Sequence, residues 1–278
     1  MTHLSESRKQ ISEWIADSLQ QKKNALQEQF RTTSNPIGYV VVDNLLPTDF
    51  VKRIHRIFPS TEHTEEKKSI RENKYIAYQM NRFDEVLEEL IYAFQEPNVL
   101  SLIAEICEIE HLEADVNLYA GGLSLMKQDN FLNPHLDNSH DKDLNRWRVL
   151  NLLFYVTPDW KLEDGGNLEL WPNGVKADPV TIVSKFNRLV IMATHQKSWH
   201  SVSKVVADNV RCCVSNYYFS REPLLESDRF HVTTFRGRPE EKSKDVVLRL
   251  DSMLRGGLRK LFKKGVRKNK HEYKNPKK

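Results

Sequence analysis

From residue 115 to residue 220 the chain breaks into short apolar runs at nearly regular spacing: "VNLYAGGLSLM", "WRVLNLLFYV", "GNLELWP", "DPVTIV", "NRLVIMA", "WHSVSKV" and "VRCCVSNYYFS". Turn-forming residues separate them, among them Pro158-Asp159, Asp164-Gly165-Gly166, Pro172-Asn173-Gly174 and Phe186-Asn187. Many short strands with turns between them predict a sandwich or a barrel. The glycines of "DGG" read as a tight turn, because glycine supplies positive φ without steric penalty.

The flanks have a different texture. Ile11, Trp14, Ile15, Leu19, Leu26 and Phe30 recur at helical spacing and predict a helix over 5–30. "NPIGYVVVDNLLP" predicts a strand, and 49–58 a helix that stops at Pro59. "STEHTEEKKSIRENK" (60–74) is polar and without periodicity, so a mobile loop is expected there. Two helices follow over 84–95 and 98–110, with His111 at the end of the second. After Glu222 the chain returns to helix, most clearly over 243–264. The domain reading is an N-terminal helical region with an opening strand (1–114), a β core (115–222), and a C-terminal helix with a basic tail (223–278), forming one integrated domain.

A chain of 278 residues with 39% hydrophobic content can build one large core. No apolar run approaches the roughly 18 residues that cross a bilayer. The N-terminus lacks the apolar segment of a secretory signal. Cys107, Cys212 and Cys213 are too few and too poorly spaced for a disulfide framework. A cytoplasmic location is expected, with peripheral attachment at the inner face of the membrane as an option. That option comes from the tail: residues 255–278 hold eleven Lys/Arg and one acid, so the rest of a chain of net charge +4 is mildly acidic. Val247, Leu250, Leu254, Leu258 and Leu261 recur at helical spacing among these cations. Such a helix either packs on the β core or lies on an anionic membrane surface or glycan. Nucleic acid is disfavoured, because no aromatic stacking pattern accompanies the charge.

Three His-x-acid pairs occur: His63 with Glu65, His111 with Glu113, and His135 with Asp137. The first lies in the expected loop and the second at a helix end. The third, in "NPHLDNSH", sits just past a strand, where residues i and i+2 share a face. A second strand-borne histidine, His200, follows 65 residues later, and Arg211 opens the next strand. Two histidines and one carboxylate with open positions are the facial triad of non-haem Fe(II) oxygenases.

The segments "HLDN", "LLFYVTPDW", "EDGGNLELWP", "KFNRLVIM", "WHSV" and "RCCVSNYYF" stand in the order seen in one family. Over roughly 115–220 the sequence resembles the 2-oxoglutarate/Fe(II)-dependent oxygenases, in particular their prolyl-hydroxylase-like branch. The resemblance implies a mainly β fold with flanking helices and a double-stranded β-helix (jelly-roll, cupin-like) core. It implies iron ligands at His135, Asp137 and His200, and Arg211 on the distal carboxylate of 2-oxoglutarate. Tyr155, Ser215 and Asn151 are expected beside that cosubstrate. Dioxygen is the oxidant, with ascorbate as a reductant. Leu125 departs from the family, which often carries a tyrosine about ten residues before the first iron histidine. Asp137 points to hydroxylation, because related halogenases carry a small residue there.

The expected activity is hydroxylation of an unactivated C–H bond. The substrate is a protein prolyl residue, a cell-envelope sugar or glycolipid, or a free amino acid. The rival reading is a non-catalytic β-barrel binding module that kept the scaffold.

Overall fold

The computed structural model describes residues 6–261 and 272–274. Its elements run α1 (Arg8–Thr33), β1 (Tyr39–Asp43), α2 (Thr48–Ile57), β2 (Glu65–Lys68), β3 (Glu72–Ala77), α3 (Glu85–Ala93), α4 (Pro97–Ile106) and β4 (Glu113–Ala114). The β core follows with β5 (Gly122–Met126), β6 (Phe131–Leu136), β7 (Trp147–Tyr155), β8 (Leu168–Leu170), β9 (Val180–Ile182), β10 (Arg188–Ala193), β11 (His200–Val202) and β12 (Arg211–Ser220). The described chain closes with β13 (Thr234–Phe235) and α5 (Lys242–Leu261).

The strands form an antiparallel sheet in the order β1-β10-β7-β12-β5-β3-β6-β11-β8-β9, with β13 on β6, β2 on β3 and β4 on β12. The sheet curls into a half-barrel, the expected jelly-roll arrangement. Alternation explains why it is buried on both sides. On β7, Leu150, Leu152 and Phe154 join Ile11, Ile15, Leu19 and Leu90 of the helices in one apolar cluster. Tyr155 turns the other way, with Leu168, Val190 and Met192. Residues with both faces covered read as a continuous apolar run, as "VLNLLFYV" does. Cys212 and Cys213 fall into these two opposite clusters, as adjacent strand residues must.

Helix α1 begins at Ser7, whose hydroxyl accepts from the Gln10 amide, and α3 begins at Asp84, whose carboxylate accepts from Val86. The "DGG" turn is real, with φ of +70° at Gly165 and +62° at Gly166. A Cβ on Gly165 would stand 2.0 Å from the Lys204 carbonyl oxygen, and one on Gly166 would stand 3.1 Å from Cδ of Arg211. The turn therefore also makes room for the arginine stem.

Three expectations are corrected. The stretch 60–74 is no loop: β2 and β3 form a hairpin, and β3 lies between β5 and β6 in the sheet. Its outer strand is polar on both sides, so no period-2 pattern could reveal it. The helix expected over 98–110 stops at Ile106, and His111 stands exposed beyond it, 3.8 Å from Glu110. The chain after Glu222 does not return directly to helix, because β13 first pairs with the strand carrying His135.

Helix α5 runs over Lys242–Leu261, so the end of the expected 243–264 helix lies outside the described residues. Its apolar stripe does not pack on the core. Val247, Leu250, Leu254 and Leu258 are each at least half exposed, while Leu248 on another side is fully buried. Polar contacts anchor the helix instead: Asp251 pairs with Arg71, and Arg255 donates to the Thr233 carbonyl.

Candidate active site

Strands β6 and β11 lie side by side with His200 directly opposite His135, and Asp137 follows the end of β6. Pro134 sits where β6 changes neighbours along one edge, from β3 at Phe131 and Leu132 to β13 at His135 and Leu136. A residue without an N–H is tolerated at such a break in the ladder. The three side chains sequence reading joined across 65 residues therefore meet at one point. Nε2 of His135 is 3.7 Å from Asp137 Oδ1, and Nε2 of His200 is 3.7 Å from Oδ2. All three ligand atoms lie within 4.8 Å of one another.

Each imidazole is oriented from behind. Nδ1 of His135 is 3.0 Å from the Asn133 carbonyl, and Nδ1 of His200 is 2.9 Å from that of Ser198. A carbonyl only accepts, so both Nδ1 atoms carry a proton, and Nε2 of each ring is the atom turned to Asp137. Phe235 of β13 stacks on the His135 ring at 5.3 Å and 17°.

Burial, seconded by the neighbouring His200, pushes His135 down to about 3. Burial alone would raise Asp137, but His200, Arg148 and His135 hold its carboxyl below the usual range. The site thus presents a neutral imidazole and a carboxylate, the protonation states that metal binding requires. A pH effect follows for the metal-free protein. The unfolded histidine titrates near its ordinary value and the folded one near 3, so between these the unfolded state holds the extra proton. Stability is then lost as pH falls from neutrality. Chemical denaturation at pH 7 and pH 5 should differ by about 2 kcal/mol from His135 alone. His140, His195 and His231, also lowered by burial, act in the same direction. Equal stability at the two pH values would contradict the burial argument.

On the inner side of the half-barrel, Arg211, Cys213, Ser215 and Tyr217 alternate along β12. Cys213 lies opposite Tyr155 and Tyr217 opposite Asn151 on β7. Arg211, Asn151 and Ser215 line a cavity of about 360 Å³ that also holds His135, Asp137 and His200. Tyr155 lies behind its wall, with its ring 5.3 Å from the Arg211 guanidinium. Arg211 spends only Nη2, on the Met126 sulfur at 3.3 Å.

Buried polar atoms without a partner concentrate here: Asp137 Oδ2, Asn151 Oδ1, the Tyr155 hydroxyl, Arg148 Nε, and Nε and Nη1 of Arg211. Buried polar groups are nearly always hydrogen-bonded, so such a group of orphans is a ligand-shaped gap. A divalent metal between the triad and a dicarboxylate reaching Arg211 would satisfy most of them, and the donor set suits iron.

Leu125 proves uninformative about the cosubstrate. It belongs to the outer cluster, whereas its β5 neighbours Ser124 and Met126 face the cavity. His140 and His195 are buried near the triad's strands: His140 packs against Trp147 at 4.1 Å, and His195 Nδ1 accepts from the Lys197 amide. His63 and His111 are exposed and stand outside the cavity.

Besides Phe235, sequence reading missed Arg148. The β7–β12 register slips at Val149, so that Leu150 faces Tyr218 while Arg148 faces Phe219. The extra residue turns Arg148 into the cavity, as bulges beside active sites do. Its guanidinium lies 4.1 Å over the Tyr217 ring and 3.8 Å from Asp137. An arginine inside an apolar run was the available signal.

Residues 121–219 match the 2OG-Fe(II) oxygenase superfamily. Over 84 residues the chain is 33% identical to the prolyl 3-hydroxylase OGFOD1 of Xenopus laevis, a match covering 28% of this chain and 16% of that protein. The chain thus spans about a sixth of the length of that curated relative. Among solved structures, a prolyl-4-hydroxylase from Pseudomonas putida superposes with a TM-score of 0.53 at 16% identity, over 71% of this chain and 100% of the other. A prolyl 4-hydroxylase from Phytophthora capsici gives 0.55 at 17% identity, over 94% of this chain and 79% of the other. The stretch that brings His135, Asp137 and His200 together thus matches the 2OG-Fe(II) oxygenase superfamily, and prolyl hydroxylases are among the proteins to which the chain is similar.

Proposed function

We propose that the protein is an Fe(II)- and 2-oxoglutarate-dependent dioxygenase that hydroxylates an unactivated C–H bond. The observation that carries this reading is the group of unpartnered buried polar atoms around one cavity, complementary to a metal and a dicarboxylate. When bound, iron and 2-oxoglutarate supply the oxidising chemistry: dioxygen is consumed, the cosubstrate becomes succinate and carbon dioxide, and a substrate carbon gains a hydroxyl.

The chain's own residues bind, orient and shield. His135 and His200 hold the metal through Nε2, and their Nδ1 protons stay committed to the Asn133 and Ser198 carbonyls. Asp137 adds the charged ligand. Arg211 takes the distal carboxylate as a paired-donor fork, which stays charged while buried. The Tyr155 hydroxyl, Asn151 and Ser215 complete the cosubstrate's hydrogen bonds. The apolar walls of Leu153, Leu168 and Val202 keep water from the reacting carbon.

The prolyl-hydroxylase relatives make a protein prolyl residue the first substrate class to try, ahead of an envelope sugar or a free amino acid. The test of the reading needs no substrate. Under anaerobic conditions, Fe(II) plus 2-oxoglutarate should produce the visible charge-transfer band of the chelate. A folded protein with both in excess and no band would return the chain to the class of binding modules.

A further inference from the structure

The cavity is more cationic than its proposed ligands require, and the surplus sits on strands flanking Arg211's β12: β7, paired directly with it, and the β2–β3 hairpin, one strand beyond β5. Strand β3 puts Glu72, Lys74 and Ile76 on the cavity side by alternation. Lys67 of β2 lines the same mouth and is the direct cross-strand partner of Lys74. Like charges facing each other across a ladder oppose folding. Each is offset by an acid two residues away, Lys67 by Glu65 and Lys74 by Glu72 at 3.0 Å. Arg71 and Arg255, also at the mouth, share the single carboxylate of Asp251.

Inside, Arg148 is 4% exposed, is turned inward by the bulge, and keeps Nε without a partner. Its nearest carboxylate is Asp137 at 3.8 Å, beyond hydrogen-bond reach. Among the described residues, six cations including Arg211 line the cavity, against Glu72 and Asp137 lining it and Glu65 and Asp251 reached from it. Asp115, outside the lining, also acts on Arg148, so a surplus of at least one positive charge remains. A divalent metal and dianionic 2-oxoglutarate cancel each other, so the surplus stays for the third component. It is the more pointed because the body of the chain, outside the basic tail, is acidic.

We infer that the substrate carries an anionic oxygen group, a phosphate or a carboxylate, received by Lys74 and Arg148 with Lys67 at the mouth. This rests on the oxygenase reading of the same cavity. Lys74 is close enough to the triad for its charge to act on both His135 and Asp137. An anion held there would stand beside the metal without displacing the cosubstrate from Arg211. Glu72 is the internal competitor for Lys74, exchanged when the anion arrives.

The test uses the full-length protein, anaerobic and saturated with Fe(II) and 2-oxoglutarate, with the chelate band recorded throughout. Inorganic phosphate and, in a separate arm, acetate are titrated by calorimetry. Saturable binding is expected, with tighter phosphate assigning a phosphorylated substrate and tighter acetate a carboxylated one. Lys74→Gln should weaken it at least about tenfold, the worth of one hydrogen bond to a charged group. Glu72→Gln should tighten it, since the competing carboxylate is gone, whereas a merely structural ion pair would make both variants fail alike. Arg148→Lys, which keeps the charge but loses the fork, should weaken binding with the band retained. If neither anion binds saturably to protein that shows the band, or if Lys74→Gln binds as wild type does, the inference is overturned. No band in the wild type would overturn the oxygenase reading and this inference with it.

Discussion

Asp137→Ala should abolish the visible band of the Fe(II)–2-oxoglutarate chelate and, once a substrate is known, all iron-dependent succinate release. The carboxylate is the only charged member of the triad, and both histidines point Nε2 at its oxygens from 3.7 Å. Removing a group that merely supports a ligand typically costs metal sites 10–100-fold, so losing a ligand should weaken iron binding by more than about 100-fold. The fold should survive, because Asp137 Oδ2 accepts no hydrogen bond and the triad is held by β6 and β11 rather than by the carboxylate. Circular dichroism of the variant and direct iron titration separate the two effects. A variant that binds iron as wild type does would place the metal elsewhere.

Arg211→Ala should leave iron binding near the wild-type value and lose the cosubstrate. The guanidinium is buried with two of its three nitrogens unpartnered, and nothing else on β12 can neutralise a distal carboxylate. Truncating one partner of a buried, hydrogen-bonded charge pair is worth about 2–5 kcal/mol, which raises the 2-oxoglutarate dissociation constant roughly 30-fold to several thousand-fold. The expected signature is iron bound with the chelate band appearing only at far higher 2-oxoglutarate. A band at unchanged 2-oxoglutarate would free Arg211 from this role and leave Arg148 as the remaining buried fork in the cavity. The two variants thus divide the site into a metal half and a cosubstrate half.

The triad was legible because each member announced itself locally. His135 and Asp137 share a strand end at i and i+2, His200 interrupts an apolar run, and Arg211 opens one. The family resemblance supplied the order that joined them across 65 residues. The half-barrel was legible from the rhythm of apolar runs and turns. The hairpin at 65–77 was not. Its residues "EEKK" and "ENK" carry no alternation, since β2 faces solvent and the cavity mouth, and what makes β3 a strand is pairing with β5 and β6. Sequence neighbours carry no trace of that pairing.

Arg148 and Phe235 were missed for related reasons. Arg148 reaches the cavity only because the register slips at Val149, and a one-residue slip reverses which face a side chain takes. Phe235 stacks on His135 only because a two-residue strand, a hundred residues further along, pairs beside β6. Leu125, where the family often carries a tyrosine, is aimed at the core by alternation on β5, which its place in the sequence alone did not show.

The sequence by itself determined the chemistry on offer: two histidines and a carboxylate, an arginine opening a strand, the β architecture and the acidic body with its basic tail. Those properties belong to residue identity and short-range periodicity, which the chain carries wherever it goes. Only the tertiary structure decided where the surplus cations point, which acids they share, and which apolar stripe of α5 stays uncovered. Those outcomes depend on long-range pairing, on one bulge and on which face of a helix meets the sheet, and each can change with no change in local pattern.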